Sequence, residues 1–453
     1  MAAEPRACFT LETRAPREQM TSEPFSAAGA GQYCHALAKR LFPINRSLTG
    51  PGIRQSLAIL GEHLPDLAIR EVPSGTQAFD WQVPDEWSVH EAWIEDDAGK
   101  RIVDFADHNL HLVGYSEPVD RWMSRAELDA HLHSLPDQPE AIPYVTSYYK
   151  RQWGFCLPHS QRESLSEGRY RVFIDSRLKP GVLNYGELVI PGESEEEVFL
   201  STYICHPSMA NNELSGPVVA TALARWLLTL ERRRYTYRLV FIPETIGSIV
   251  YLSRNLARLQ RLMVAGFNLT CIGDERAYSY LPSRAGDTPA DKAALQALHA
   301  TDSRFKRYSW LERGSDERQY CAPGVDLPVA SIMRSKYWTY PEYHTSLDDL
   351  EFVTPAGLQG GFDAVKLAIE CLEANAVYRV TVLGEPQLGK RGLYPNTSAK
   401  GSALAVRVMM DLISYCDGTR DLLEIGAVIG RPAAELARVA QPLLENGLLE
   451  RIG

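Results

Sequence analysis

Apolar positions first recur at helical spacing over about 31–41 and 51–63. Leu67 to Val72 is a short β-rich run closed by the turn Pro73-Ser74-Gly75. From about 76 to 180 the texture changes. Trp, Tyr, His and Pro are dense, apolar runs are short, and turn signals such as Asp97-Ala98-Gly99 recur. That stretch predicts a mostly β insertion with one helix near 124–134. Beyond about 184 the pattern alternates. Strands are predicted over Val198–Cys205, Arg238–Ile242, Gly266–Ile272 and Pro328–Met333, and helices over Gly216–Leu230 and about 247–261, 289–300 and 355–375. Apolar strands alternating with helices predict an α/β domain, a mainly parallel mixed sheet with helices on both faces. Three short helical patterns followed by Gly447-Leu448-Leu449-Glu450-Arg451-Ile452 predict a terminal winged-helix unit. Residues 1 to about 30 have no periodicity and read as a disordered or loosely ordered tail. The expected organisation is thus a tail (1–30), an α/β domain (31–75 and 181–400), an inserted β-rich domain (76–180) and a winged-helix-like domain (402–453).

Composition narrows the function classes. Hydrophobic residues make up 45% and charged residues 23% of the 453, which excludes a disordered, collagenous or disulfide-scaffold chain. Lys plus Arg is 47 against 57 for Asp plus Glu, a net charge of −10. An acidic surface argues against nucleic acid and against anionic membranes as partners. The terminal unit, 402–453, has five Arg, no Lys and seven acids, so it also repels phosphate. Its expected role is packing against a subunit or partner, with a homo-oligomer left open. The eight cysteines are scattered without a CxxC pair, which fits free thiols in a reducing cytoplasm. The N-terminus shows no apolar run of signal type, and Val218–Leu230 is interrupted by Arg225 and too short to cross a bilayer.

In open α/β sheets, ligands gather beyond the carboxyl ends of the strands. Four predicted strands deliver His, Asp or Glu there: His206 after the first, Glu244 after the second, Asp274 with Glu275 after the third, and Tyr343-His344 downstream of the fourth. Imidazole plus carboxylate, without thiolate, is the ligand set of catalytic zinc. Taken singly, each has an ordinary reading as a cap or a solvated side chain. Asn211, Asn212 and Ser215 are natural caps for a helix starting at Gly216. The conjunction carries the argument.

HPSMANNELSG (206–216), PETIGS (243–248), IGD (272–274), RGSDERQYCAPGVDLPV (313–329) and YHTSLDDL (343–350) resemble the motif set of zinc aminopeptidases with the phosphorylase/hydrolase-like fold. LFPINRSLTG (41–50), EVPSGTQAFDWQVPDEW (71–87) and the C-terminal unit are similar, more narrowly, to bacterial aminopeptidase-like proteins associated with polysaccharide biosynthesis. The resemblance covers about 31–453. It implies a zinc metallo-aminopeptidase or amidohydrolase acting on a small peptide or amide substrate. It implies His206, Asp274 and His344 as zinc ligands, Glu244 as general base, and Asp348 as an acid supporting His344. Asn212 falls where a metal-bridging Asp is usual, and Thr245 where a second Glu would ligate. Both departures favour one zinc over two, with Glu213 as the substitute carboxylate and Glu275 a weaker candidate. Tyr343, Tyr337 and Arg318 are candidates for oxyanion stabilisation, and Asn212, Arg318 and Tyr337 for substrate binding. The same departures motivate a rival, a catalytically inactive binding protein on this fold; a further rival is a regulator acting through the winged helix. His131-Leu132-His133 is expected on a helix surface. The tryptophans of the insertion (Trp81, Trp87, Trp93, Trp122, Trp153) are expected to be core, with the insertion overhanging the sheet edge.

Overall fold

The computed structural model describes residues 25–393 and 402–453. Most of the predicted tail therefore lies outside the described residues. From Phe25 the chain is packed: its ring meets Tyr33 and Phe362 at 5.5 and 6.1 Å. Helix Ala30–Leu41 starts where the periodicity predicts.

An eight-stranded sheet forms the centre. Its four inner strands are parallel, in the order Thr236–Ile242, Glu197–Tyr203, Met263–Asn268 and Val329–Met333. Every residue of Glu197–Tyr203 is buried, as a strand covered on both faces requires. Val182–Ile190 and Ala68–Pro73 extend one edge antiparallel. Ser279–Leu281 pairs antiparallel to Val329–Met333 and carries Lys306–Arg307 on the other edge. A buried charge cluster within the sheet is internally paired: Glu197 receives Arg238 at 2.8 Å and Arg258 at 2.6 Å.

Helix Ser215–Thr229 is buried along almost its whole length and packs against Ala30–Leu41 and Pro355–Glu373. Its Gly216 allows a close approach, since a Cβ there would lie 2.3 Å from both the Leu269 carbonyl oxygen and Thr202 Oγ1. Pro289–Thr301 and Pro355–Glu373 each open on a threonine cap with Pro at the first position.

The insertion is an antiparallel sheet ordered Arg101–Asp104, Glu86–Asp96, Arg169–Lys179 and Val119–Ser124, with the hairpin Gln77–Ala78/Trp81–Gln82 beside it. The predicted helix near 124–134 is shorter, Arg125–Asp129, and Leu132–His133 pairs as a strand with Phe155–Cys156. His131 is stacked on Trp153 at 3.6 Å, so this segment is not the helix surface expected. Two short apolar stretches cannot separate helix from strand by periodicity alone.

At the C-terminus, Ser402–Tyr415, Leu422–Ile429 and Ala433–Glu445 are helices. Strand Val377–Val380 pairs with both Asp417–Asp421 and Leu449–Arg451. The terminal unit thus takes in a strand well before 402, which its weak four-residue pattern concealed.

Candidate active site

His206 and Glu244 follow two neighbouring parallel strands, and His344 lies on the loop beyond the fourth. Together with Arg318 and Thr245 they line one cavity of about 390 Å³. The insertion forms the facing wall with Trp81, Tyr144, Thr146, Tyr148 and Tyr149. This loop is fastened to the sheet side: Tyr144 N donates to the His344 carbonyl at 2.8 Å, and Ile142 and Ser346 bond reciprocally. The expected overhang therefore exists. Of the five tryptophans named above, Trp81 is the one lining this cavity, whereas Trp87 and Trp93 are buried.

His206 is buried and oriented. Its Nδ1 lies 2.7 Å from Glu213 Oε2, and Glu213 Oε1 accepts from the Cys205 amide. That leaves Nε2 toward the cavity, 3.7 Å from Glu244 Oε2. The His344 ring is centred 5.5 Å from that of His206 and is held by stacking on Tyr343 at 3.9 Å. Burial opposes a proton on His206, but the Glu213 carboxylate against Nδ1 holds its pKa above the ordinary imidazole value. His344, buried and facing His206, is pushed down to about 3 and is a neutral imidazole with a lone pair to offer. Burial raises Glu244, with His206 and Arg318 opposing. Cys205 is pushed up to about 12 by burial and stays a thiol, 3.3 Å from His206 Nδ1.

The predicted ligands separate here. Glu213 is where a carboxylate orients a histidine from behind. Asp274 is elsewhere: its oxygens accept from Asn211 Nδ2, Ser335 N, Ser335 Oγ and Arg276 N. The strand ends at Asn268, not at the expected Ile272, and Cys271 turns the chain at φ 49°, so Asp274 stands six residues past the sheet. Glu275 accepts from Thr354 Oγ1 instead of facing the cavity. Asp348 supports the π-helical turn Ala210–Leu214, accepting from the Asn212 amide at 2.9 Å and from the Asn211 amide at 2.5 Å; burial raises its pKa to about 7. It holds the turn that carries Glu213, not the His344 ring. Tyr337 is buried, with its hydroxyl donated to Glu317 at 2.6 Å, and is not a substrate contact. Tyr343 positions His344 and is not among the cavity's lining residues.

His206, His344 and Glu244 are the donors that could hold a metal ion in this cavity. His344 offers a lone pair and His206 Nε2 stands beside Glu244, where a cation would take the place of the proton that the field favours on His206. The two positions that would serve a second ion are otherwise engaged. The Asn212 side-chain amide donates to Tyr203 at 2.8 Å, and Thr245 Oγ1 accepts from Arg318 at 2.6 Å, placing a fixed positive charge beside it. Among the described residues, the only group of three or more donors within 4.8 Å of one another is Cys205, His206 and Glu213.

Sequence reasoning passed over Arg46, Cys205 and Tyr144–Tyr149. Arg46 is buried and donates to the His206 carbonyl at 3.1 Å. The arginine inside LFPINRSLTG and the aromatic density of Tyr144-Val145-Thr146-Ser147-Tyr148-Tyr149 were the available signals.

A family described as a domain of unknown function, DUF4910, matches residues 35–375. The chain belongs to this family. Residues 376–451 match a winged helix-turn-helix family, in agreement with the strand at 377. A Clostridium acetobutylicum protein, named as a candidate polysaccharide biosynthesis protein with aminopeptidase-like domain, is 40% identical over 430 residues, 94% of this chain and 98% of that protein. A crystal structure of a candidate peptidase from Clostridium acetobutylicum superposes with TM-score 0.88 at 39% identity, over 94% of this chain and 97% of that one. The zinc aminopeptidase of Bacillus subtilis shares the fold at 14% identity, with TM-score 0.56 over 76% of this chain and 95% of that one. The fold is thus aminopeptidase-like α/β with a C-terminal winged helix. No helix of the described residues is long and apolar enough to cross a membrane.

Proposed function

We propose that this chain is a zinc-dependent hydrolase of a peptide or amide bond in a small substrate, with a single ion held by His206 Nε2 and His344. The observation that carries this reading is the convergence of His206, His344 and Glu244 on one cavity, with His206 locked by Glu213 so that Nε2 faces inward. Bound zinc would supply a polarised carbonyl and a water of lowered pKa. Glu244 is placed to take the proton of the attacking water and return it to the leaving amine. Glu213 fixes the His206 tautomer, and Tyr343 fixes the plane of His344. The insertion limits the substrate to what about 390 Å³ accepts. The seven described cysteines are buried and free, which supports placing the protein in the cytoplasm.

The test is metal content together with turnover. Wild type is expected to retain up to one zinc; His206→Ala and His344→Ala lose it. Glu244→Gln keeps the metal and loses roughly 10²–10⁴ in rate. Loss of zinc in Glu244→Gln reassigns Glu244 to the ligands. Two tightly held ions in the wild type, or zinc undiminished in both histidine variants, refute the site. A protein that binds no zinc is the non-catalytic binding protein instead.

A further inference from the structure

The charges facing the cavity are unequal in what they leave unspent. On the negative side, only Glu244 lines it, and the hydrolase reading uses that carboxylate as base. The other acids nearby do not line the cavity, and of their oxygens Asp316 Oδ2 alone is buried without a hydrogen-bond partner. Glu213 is bound to His206 and the Cys205 amide. Asp316 accepts from the Thr245 amide and Ser248 Oγ, both at 2.8 Å. Glu317 accepts from Asn268, the Gly314 and Ser315 amides and Tyr337. A free ammonium group entering this cavity would find no carboxylate reserved for it.

On the positive side stands Arg318. One terminal nitrogen donates to Thr245 Oγ1 at 2.6 Å, which fixes the guanidinium plane. Its Nε is buried and has no hydrogen-bond partner. Among the described residues, this guanidinium forms no ion pair with a carboxylate. A guanidinium has five N–H donors in a rigid fork that matches a carboxylate in two parallel bonds. Nε is shut off from solvent, so the terminal nitrogens are the donors that a ligand in the cavity would meet. The opposite wall, with Trp81, Tyr148 and Tyr149, offers aromatic surface to an uncharged group.

We infer that the substrate of this site carries a carboxylate close to its scissile amide, that Arg318 receives that carboxylate, and that an N-acylated amino acid is the substrate class, not a peptide with a free amino terminus. The choice of bond rests on the hydrolase reading above; the carboxylate site does not. In the reaction, the oxygen of water bonds to the acyl carbon, the C–N bond breaks, and the proton taken up by Glu244 passes to the leaving nitrogen. The products are a free carboxylic acid and an amino acid whose carboxylate stays on Arg318.

The experiment compares three probes by titration calorimetry on the full chain: N-acetyl-L-alanine (carboxylate, no amine), L-alaninamide (amine, no carboxylate) and N-acetyl-L-alanine methylamide (neither). N-acetyl-L-alanine is expected to bind at least about tenfold more tightly than both others, as a bidentate charged pair provides. Arg318→Met should erase that preference, and Arg318→Lys should keep part of it, with melting curves showing that both variants fold. Equal binding of the three probes, tighter binding of L-alaninamide, or no binding of N-acetyl-L-alanine up to about 10 mM overturns the inference. So does a preference that persists in Arg318→Met. Turnover is read separately. Arg318-dependent binding of N-acetyl-L-alanine without hydrolysis of N-acyl amino acids would refute the hydrolase reading and uphold the carboxylate site. Cleavage of amino-terminal amides with no preference for the acid would do the reverse.

Discussion

Glu213→Gln isolates the contribution of the carboxylate behind His206. Glu213 is 1% exposed; one oxygen meets His206 Nδ1 at 2.7 Å and the other takes the Cys205 amide. Glutamine keeps the shape and one carbonyl acceptor but removes the charge and turns the second acceptor into a donor facing another donor. A hydrogen bond to a charged group contributes about 1.5–3 kcal/mol net. At about 1.4 kcal/mol per tenfold, that corresponds to roughly 10- to 100-fold weaker zinc binding, the range typical of carboxylates that orient a ligating histidine. The assay is competition for zinc against a chromophoric chelator, with urea unfolding of the metal-free variant to show that it remains cooperative. A dissociation constant within roughly threefold of wild type would mean that the pair does not orient His206, because less than about 1 kcal/mol would then be at stake. Complete loss of zinc would make Glu213 a direct ligand, as the motif alone suggested.

Three further outcomes are expected. Glu197→Ala leaves Arg238, 4% exposed, with Glu187 at 2.6 Å but without its bidentate partner inside the sheet, and should cost about 1.5–3 kcal/mol in urea unfolding; a loss below about 1 kcal/mol would show the cluster to be solvated. His63 accepts from Arg40 at 3.4 Å and faces the Tyr33 hydroxyl at 2.7 Å, and burial, with Arg40 and Arg225, pushes it down to about 4. Below the ordinary 6.5 the unfolded chain takes up a proton that the folded one refuses, so the stability of wild type relative to His63→Gln should fall by about 2–3 kcal/mol from pH 7 to pH 4; a pH-independent difference in denaturation midpoints would remove His63 from the acid response. Gly216→Ala places a methyl 2.3 Å from the Leu269 carbonyl oxygen and should cost about 2 kcal/mol or more; an unchanged melting temperature would show that this helix end is free to retreat.

Hydrophobic periodicity alone determined the order of strands and helices, and with it the arrival of His206 and Glu244 at one edge of a parallel sheet. Residues one to three positions beyond a buried strand have little freedom, so their placement was legible. The winged helix was legible from its three helices but not from Val377–Val380, too short to show a period. Tertiary structure decided which acids face the cavity. The deciding backbone angles are left-handed at non-glycine residues: φ 63° at Thr245, 49° at Cys271 and 58° at His344. Nothing in the local sequence announces them, because the side chains at these positions disfavour that conformation and the surrounding contacts impose it. The turn at Cys271 carries Asp274 to Ser335 and Asn211, and the π-helical turn at Ala210–Leu214 directs Glu213, not Asn212, at His206. The cavity's outer wall depends on contacts between residues about 200 positions apart, such as Ile142 with Ser346. Spacing along the chain cannot encode such a contact, because it forms only when two separately folded sheets meet.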